Sequence, residues 1–452
     1  MCGIFGIFNH RDSARLTNLG LFAVQHRGQE SAGIAVSYKG RIKSHAGMGL
    51  VSEVFNDTVL DSLPGRMAIG HVRYSTAGVS QNKNSQPLVS ELIHGQVAVS
   101  LNGNLTNTNP LRRKLEKNGA IFQTTTDTEL IFHLMARQRE PIENAIIKSL
   151  AKMEGAYSYL FLTPTKLIAA RDRMGFRPLV MGRNRKSIVF ASETSALETV
   201  GAKFIREVEP GEIVVVSANG IKSIKPFQKC SRQARCIFEL VYLARPDSVE
   251  LGHSVESYRD KMGRLLANEL KGIKADAVVP ILDSGTYAAL GFSAKSGIPF
   301  NMWLVRNHYL GRSFIKNTQQ LRDMTVKLKL APIKEAIKGK DVILVDDSIV
   351  RGTTSRRLVK MLKNIGARKV HMVLSSPPII SPCYYGIDTP NRSKLIAHNY
   401  SVEQIKKFLG VDTLHYLSLA NLLKATGGDK KKIFCTSCFT GNYLTKTPED
   451  FK

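Results

Sequence analysis

Residues 342–358 read VILVDDSIVRGTTSRRL: four apolar residues, two adjacent carboxylates, then a run of Ser, Gly and Thr that opens a basic segment. An apolar run of this length bounded by Asp predicts a buried parallel strand that ends at its carboxyl edge. Ligands of open α/β sheets bind at that edge. There, Asp346 and Asp347 can accept hydrogen bonds from sugar hydroxyls or hold a hard cation through oxygen. Ser348, Arg351, Gly352, Thr353 and Thr354 follow, and their amides and hydroxyls can cradle a phosphate at the N-terminus of the next helix. Gly352 allows the close backbone approach that such a cradle needs. An isolated pair of Asp residues is commonly a helix cap. The complete order of apolar strand, DD, then S-x-x-R-G-T-T is far more specific.

That order resembles the PRPP (phosphoribosyl diphosphate) binding loop of type I phosphoribosyltransferases. Around it, strands are expected at 277–282, 300–305, 342–345 and 369–374, with helices at 287–295, 354–365 and 401–409. This is the doubly wound pattern of a parallel sheet. At the end of the first of these strands stands Asp283-Ser284-Gly285-Thr286, a small polar turn able to take a diphosphate on its amides. The resemblance implies that Asp283, Ser284, Gly285 and Arg306 bind PRPP together with the loop residues named above. It also implies that Ser284 joins Asp346 and Asp347 around Mg2+, and that the polar loop from Arg306 to 329 closes over the substrate. Arg306 stands where that family commonly has Lys, which keeps the charge and changes the donor geometry.

Composition bounds the rest. A chain of 452 residues should hold two or three domains, and its 43% hydrophobic content is enough for large cores. No apolar run approaches the roughly 18 residues that a membrane span needs, and the N-terminus lacks the basic and apolar regions of a secretory signal. A soluble, cytoplasmic protein without a membrane partner is expected. The net charge of +27 is spread along the chain, and no helix-turn-helix, zinc-finger or RNA-recognition pattern accompanies it. A lysine-rich solvated surface that also attracts a polyphosphate substrate fits better than nucleic-acid binding.

Six cysteines in a chain this long do not make a disulfide scaffold. Cys2, followed by a small residue, becomes the N-terminus once Met1 is removed. Its thiol then lies beside an α-amino group with an ordinary pKa of about 7.7–8.0, a suitable general base. The N-terminal half continues with QHRGQESAG (25–33), GHVRYSTAG (70–78), LNGNL (101–105) and TTDTE (125–129). Asn102, through its side-chain NH2, and Gly103, through its backbone N–H, can form an anion-stabilising pocket. Arg73 can grip an α-carboxylate with its fork, and Asp127 can accept from an α-ammonium group. In this order the segments resemble the glutaminase domain of N-terminal-nucleophile amidotransferases. That resemblance implies that Cys2 is the nucleophile and that Arg27, His71, Arg73, Thr76 and Asp127 form the glutamine pocket.

ARDRMGFRPL (170–179) and ASET (191–194) extend the same likeness, with Arg173 where the family usually has Pro. A polar, basic stretch at 217–235 separates the halves. After it, CIFELVYLARPDS (236–248) resembles the Y-F-A-R-P-D-S stretch of glutamine PRPP amidotransferases, with Leu243 replacing Phe. The expected domains are therefore 2–225, an αββα N-terminal-nucleophile sandwich, and 236–425, a doubly wound phosphoribosyltransferase sheet, with a tail at 426–452. Four of the cysteines, Cys236, Cys383, Cys435 and Cys438, suit either a structural zinc or an iron–sulfur cluster by residue type. One branch of the family carries a [4Fe–4S] cluster at the matching positions, so the resemblance implies a cluster. It implies a homotetramer and feedback by purine nucleotides as well. Other glutamine amidotransferases, with a different ammonia acceptor, share the first half and lack the DDSIVRGTT loop. A PRPP-sensing regulator would leave the N-terminal set idle.

Overall fold

The computed structural model describes residues 2–75, 78–228, 230, 232–307, 330–427 and 432–451. The N-terminal half contains two antiparallel sheets. Seven strands lie in the order Lys203–Glu207, Val180–Asn184, Ser187–Ala191, Gly3–Phe8, Met67–Arg73, Ser31–Tyr38 and Arg41–Met48. Six more run Gly220–Ile224, Ile213–Ser217, Leu167–Arg171, Gly155–Leu162, Gly95–Leu105 and Leu88–Leu92. Period-two alternation sorts their side chains into layers. On the first strand, Ile4 packs with Leu160 and Leu167 between the sheets, while Phe5 and Ile7 pack with Ala14 and Leu21 of helix Ser13–Ala23. On the second sheet, Val97, Val99 and Leu101 turn to helices Leu130–Met135 and Ile142–Leu150. The result is helix, sheet, sheet, helix. Fully burying each such side chain contributes roughly 1.5–3 kcal/mol.

The second half is built on a parallel sheet in the order Ala277–Pro280, Asp341–Asp346, Lys369–Leu374 and Thr413–Tyr416. Apolar side chains cover both faces. Val278, Ile343 and Val373 pack under helices Val255–Glu269 and Thr286–Ser296. Val342, Leu344 and Met372 pack under helices Thr353–Asn364 and Val402–Leu409. Burial on both faces explains why these strands read as continuous apolar runs.

Two elements differ from the sequence expectation. Residues 300–305 make only one parallel bridge, Val278 to Phe300, and Leu304–Arg306 instead pairs antiparallel with Leu330–Pro332. Met302 and Val305 are exposed there, so the apolar composition of the segment does not report a core strand. The fourth parallel strand, Thr413–Tyr416, was hidden by its half-polar sequence TLHY, in which Thr413 and His415 are half-buried at the sheet edge. A short parallel pairing, Arg235–Cys236 with Phe434–Cys435, ties the C-terminal tail to the start of the second half. No helix among the described residues is long and apolar enough to cross a membrane.

Candidate functional site

The strand Gly3–Phe8 runs antiparallel to Met67–Arg73 with Gly3 opposite Val72, which brings Cys2 beside Arg73 and Tyr74. Cys2 is buried, with Sγ 3.7 Å from the Tyr74 carbonyl oxygen. Arg27 Nε donates to the Cys2 carbonyl at 3.2 Å. The same guanidinium meets Glu193 through Nη1 and Glu239 through Nη2 (2.6 Å). Ser192 joins two strands: its Oγ accepts from the Ile4 amide at 3.0 Å and from Asn102 Nδ2 at 3.4 Å.

His71 is fully buried, and its Nε2 donates to the Leu101 carbonyl at 3.1 Å, a tautomer assigned from that partner. Burial lowers its pKa to about 3, so the ring is neutral at physiological pH. Of the residues expected in the glutamine pocket, Arg27 and His71 are both buried, Arg27 bracing the Cys2 backbone and His71 the strand of Asn102.

Gly103 sits opposite Tyr157, and a Cβ at this position would lie 2.1 Å from the Ala156 carbonyl oxygen. Only glycine permits that approach. Two residues on, the Leu105 amide donates to Asp127 Oδ2 at 3.0 Å. Burial pushes the Asp127 carboxyl up to about 6, against the opposing pull of nearby Arg73. Arg73 itself is buried, its Nη1 3.3 Å from the Val79 carbonyl and 3.6 Å from Glu30 Oε2. Thr76 lies outside the described residues. A cavity of about 590 Å3 opens beside this set, lined by Gly78, Asn104 and Thr125 from the first half and Tyr384, Asp388 and Arg392 from the second. That volume suits a small-molecule substrate.

The second cluster stands at the carboxyl edge of the parallel sheet. Strand Asp341–Asp346 delivers Asp346 and Asp347 to the start of helix Thr353–Asn364. The Asp347 amide donates to Asp346 Oδ1 at 2.9 Å, and Ser348 Oγ donates to Asp347 Oδ2 at 2.5 Å. Burial and the neighbouring charge push Asp346 well above the ordinary carboxylate range; burial raises Asp347 too. The Ser284 hydroxyl reaches both carboxylates. Gly352 takes the left-handed conformation (φ +72°) at the helix N-cap, where Arg351, Thr353 and Thr354 are exposed. The first-turn amides of this helix have no intrahelical acceptor and point toward the edge.

Gly285 corrects the expectation of a free amide, because its N–H donates to the Ile281 carbonyl at 2.9 Å. Asp283 pairs with Arg306 across the turn. Residues 308–329 of the expected closing loop lie outside the described residues.

Four thiols gather where the two halves and the tail meet. Cys236 pairs in register with Cys435, and Cys438 lies near Cys236, Cys383 and Cys435. Burial pushes all four up, Cys236 to about 12 and Cys435 to about 11. Arg177 faces Cys236 and Cys383. Among the described residues no three His, Cys, Asp or Glu side chains converge as a ready single-ion site.

Against known families, residues 71–199 match the glutamine amidotransferase domain and residues 254–377 the phosphoribosyl transferase domain. The chain is 49% identical to amidophosphoribosyltransferase 1, chloroplastic, of Arabidopsis thaliana over 99% of its length and 79% of that protein's. It is 44% identical to the amidophosphoribosyltransferase of Bacillus subtilis, covering 99% of this chain and 95% of that one. The chain belongs to the amidophosphoribosyltransferase family. A solved structure of the B. subtilis glutamine PRPP amidotransferase, complexed with ADP and GMP, superposes with a TM-score of 0.93 at 44% identity, over 98% of each chain. As an amidophosphoribosyltransferase, the chain is a glycosyltransferase with glutamine-dependent activity, and it serves the first step of purine biosynthesis.

Sequence reasoning singled out the DDSIVRGTT loop and the Cys2 set. It gave no role to Ser192, Glu193 or Glu239, which hold the first strand and Arg27 beside Cys2. Their partners Ile4 and Arg27 lie 166 to 212 residues away, beyond any local pattern.

Proposed function

We propose that the two clusters divide the reaction between them, releasing ammonia from glutamine in the first half and spending it on PRPP in the second. The observation that carries this reading is that Ser192 joins the strand following Cys2 to Asn102 and Asp127 accepts from Leu105 on that same strand in one half, while the Asp346–Asp347 pair meets a helix N-terminus in the other. Cys2 Sγ attacks the side-chain amide carbon of glutamine, its proton passing to the α-amino group exposed by removal of Met1. The developing oxyanion takes the Gly103 N–H and the Asn102 side-chain amide. A 180° flip of that amide lets Ser192 Oγ–H donate to Oδ1 and turns NH2 to the pocket. Ammonia leaves with the proton, and water hydrolyses the thioester to glutamate. Arg73 holds the α-carboxylate, and Asp127 the α-ammonium. Thr76 completes the pocket by family likeness.

In the second half, Ser348, Arg351, Gly352, Thr353 and Thr354 receive the 5′-phosphate, and Asp346 and Asp347 the ribose hydroxyls. Asp283, Ser284, Gly285 and Arg306 border the diphosphate. Ammonia attacks C1, and diphosphate departs. Two adjacent carboxylates with a hydroxyl beside them fit a hard cation, which would offset the burial that raises both and the neighbouring charge that raises Asp346 further. Mg2+ held by Asp346, Asp347 and Ser284 would supply positive charge to the departing diphosphate.

The four-thiol set fits a cysteine-ligated group, since a metal takes thiolates that burial alone disfavours. Family likeness favours a [4Fe–4S] cluster on Cys236, Cys383, Cys435 and Cys438 over zinc. The same likeness supports a homotetramer and regulation by purine nucleotides.

Replacing Cys2 tests the division of labour. Cys2→Ala should abolish glutamine-dependent diphosphate release while ammonia still supports it. Retained glutamine-dependent release by Cys2→Ala would falsify the nucleophile assignment.

A further inference from the structure

We propose that Glu239 is a positioning residue of the glutamine-hydrolysing site: a carboxylate from the second half that holds the catalytic N-terminus through Arg27. The inference rests on the reading of Cys2 as nucleophile and extends that site across the boundary between the halves.

Glu239 opens a wide, π-helical turn, Glu239–Leu243, of a kind that often marks functional sites. Its side chain is only 5% exposed. Oε1 accepts from Arg27 Nη2 at 2.6 Å and also from Arg177 Nη2. Arg27 in turn donates Nε to the Cys2 carbonyl and meets Glu193 through Nη1. All three edges of its guanidinium therefore have fixed targets, and one of them is the backbone of the nucleophile. Glu193 is gripped from the second half as well: its Oε2 accepts from the Arg245 amide at 2.9 Å and from Ser248 Oγ at 2.7 Å.

The arrangement sets two buried guanidiniums against two buried carboxylates. Removing one carboxylate leaves positive charge without compensation in the interior. Arg27 then turns toward Glu193, its one remaining acid partner, and its grip on the Cys2 carbonyl moves with it. Reacting groups lose rate steeply with small displacements, about 100-fold for 1 Å. The effect should therefore fall on the rate of glutamine hydrolysis and spare both glutamine affinity and the PRPP site. If Glu239 merely packed the halves together, its loss would weaken both half-reactions alike.

The test uses the full chain purified without air, as wild type, Glu239→Gln, Glu239→Asp and Cys2→Ala. Diphosphate release is measured with glutamine and with ammonia, and alkylation of Cys2 by iodoacetamide is timed by mass spectrometry of the N-terminal peptide. Glu239→Gln should lower kcat with glutamine roughly 10- to 100-fold. Its glutamine KM and its ammonia-dependent rate should stay within about twofold of wild type. Cys2 alkylation should change with the glutamine rate, and Glu239→Asp, which keeps the charge, should recover part of the loss.

Equal loss of both half-reactions, or an unchanged glutamine rate, overturns the proposal. If Glu239→Gln does not fold, Glu239→Asp decides by the same two rates. A Cys2→Ala protein that still uses glutamine removes the nucleophile reading itself. A dead Cys2→Ala beside an unaffected Glu239→Gln removes only this inference.

Discussion

Asp127 concentrates the residue-scale chemistry of the first half. Its carboxyl titrates near 6 instead of 3.8 because burial disfavours the charge. The folded state therefore binds this proton more tightly than the unfolded chain does. That stabilising contribution is present below about pH 3.8 and is lost as pH rises through about 6. On the proposed reading glutamine binding runs the other way, since the ionised carboxylate accepts from the α-ammonium. The glutamine KM is expected to fall as pH rises through about 6, and steady-state rates across that range check it. Asp127→Asn should flatten this limb and raise KM roughly 10- to 100-fold, the worth of a hydrogen bond to a charged group. Asp127 was singled out because TTDTE falls in order with the other segments. The buttressing role of His71 was not legible, because its partner is a backbone carbonyl on another strand.

At the scale of the element, the loop between strand Asp341–Asp346 and helix Thr353–Asn364 carries its instructions locally. The apolar run, the Asp pair and the left-handed glycine are neighbours in the chain, so a linear reading suffices. Gly352→Ala forces an L side chain into φ +72° and sets Cβ 3.0 Å from Ile396 Cδ1. A cost of roughly 1–2 kcal/mol is expected, seen as a lower Tm in a thermal melt together with a higher PRPP KM in steady-state assays. An unchanged KM would mean that the cradle does not depend on this turn. The strand Thr413–Tyr416 and the antiparallel pairing of Leu304–Arg306 escaped the same reading. Both are three or four residues long, and tertiary partners, not composition, make them strands.

Across the whole molecule, the halves are fastened by contacts distant in sequence. Asn104 Nδ2 donates to the Tyr384 carbonyl at 3.0 Å, Tyr74 hydroxyl to Asp388 at 3.1 Å, and Phe176 stacks on Tyr385 with centroids 4.1 Å apart. The four thiols lie among these contacts, with Cys383 directly before Tyr384. Protein prepared without air should show the visible absorbance of an iron–sulfur cluster. Cys438→Ser should lose that absorbance and melt at a lower temperature; wild-type protein holding zinc alone would contradict the cluster reading. Such contacts, unlike the DDSIVRGTT loop, have no local signature, so the union of the halves had to be seen in three dimensions.

That union is tested most directly by following nitrogen. Glutamine labelled with 15N at its side-chain amide is supplied with PRPP, Mg2+ and an excess of unlabelled ammonium, and the isotope in the aminated sugar product is measured by mass spectrometry. Two sites working as one enzyme predict product that carries 15N despite the competing ammonium. Product that takes the isotope of the bulk solution would contradict the account.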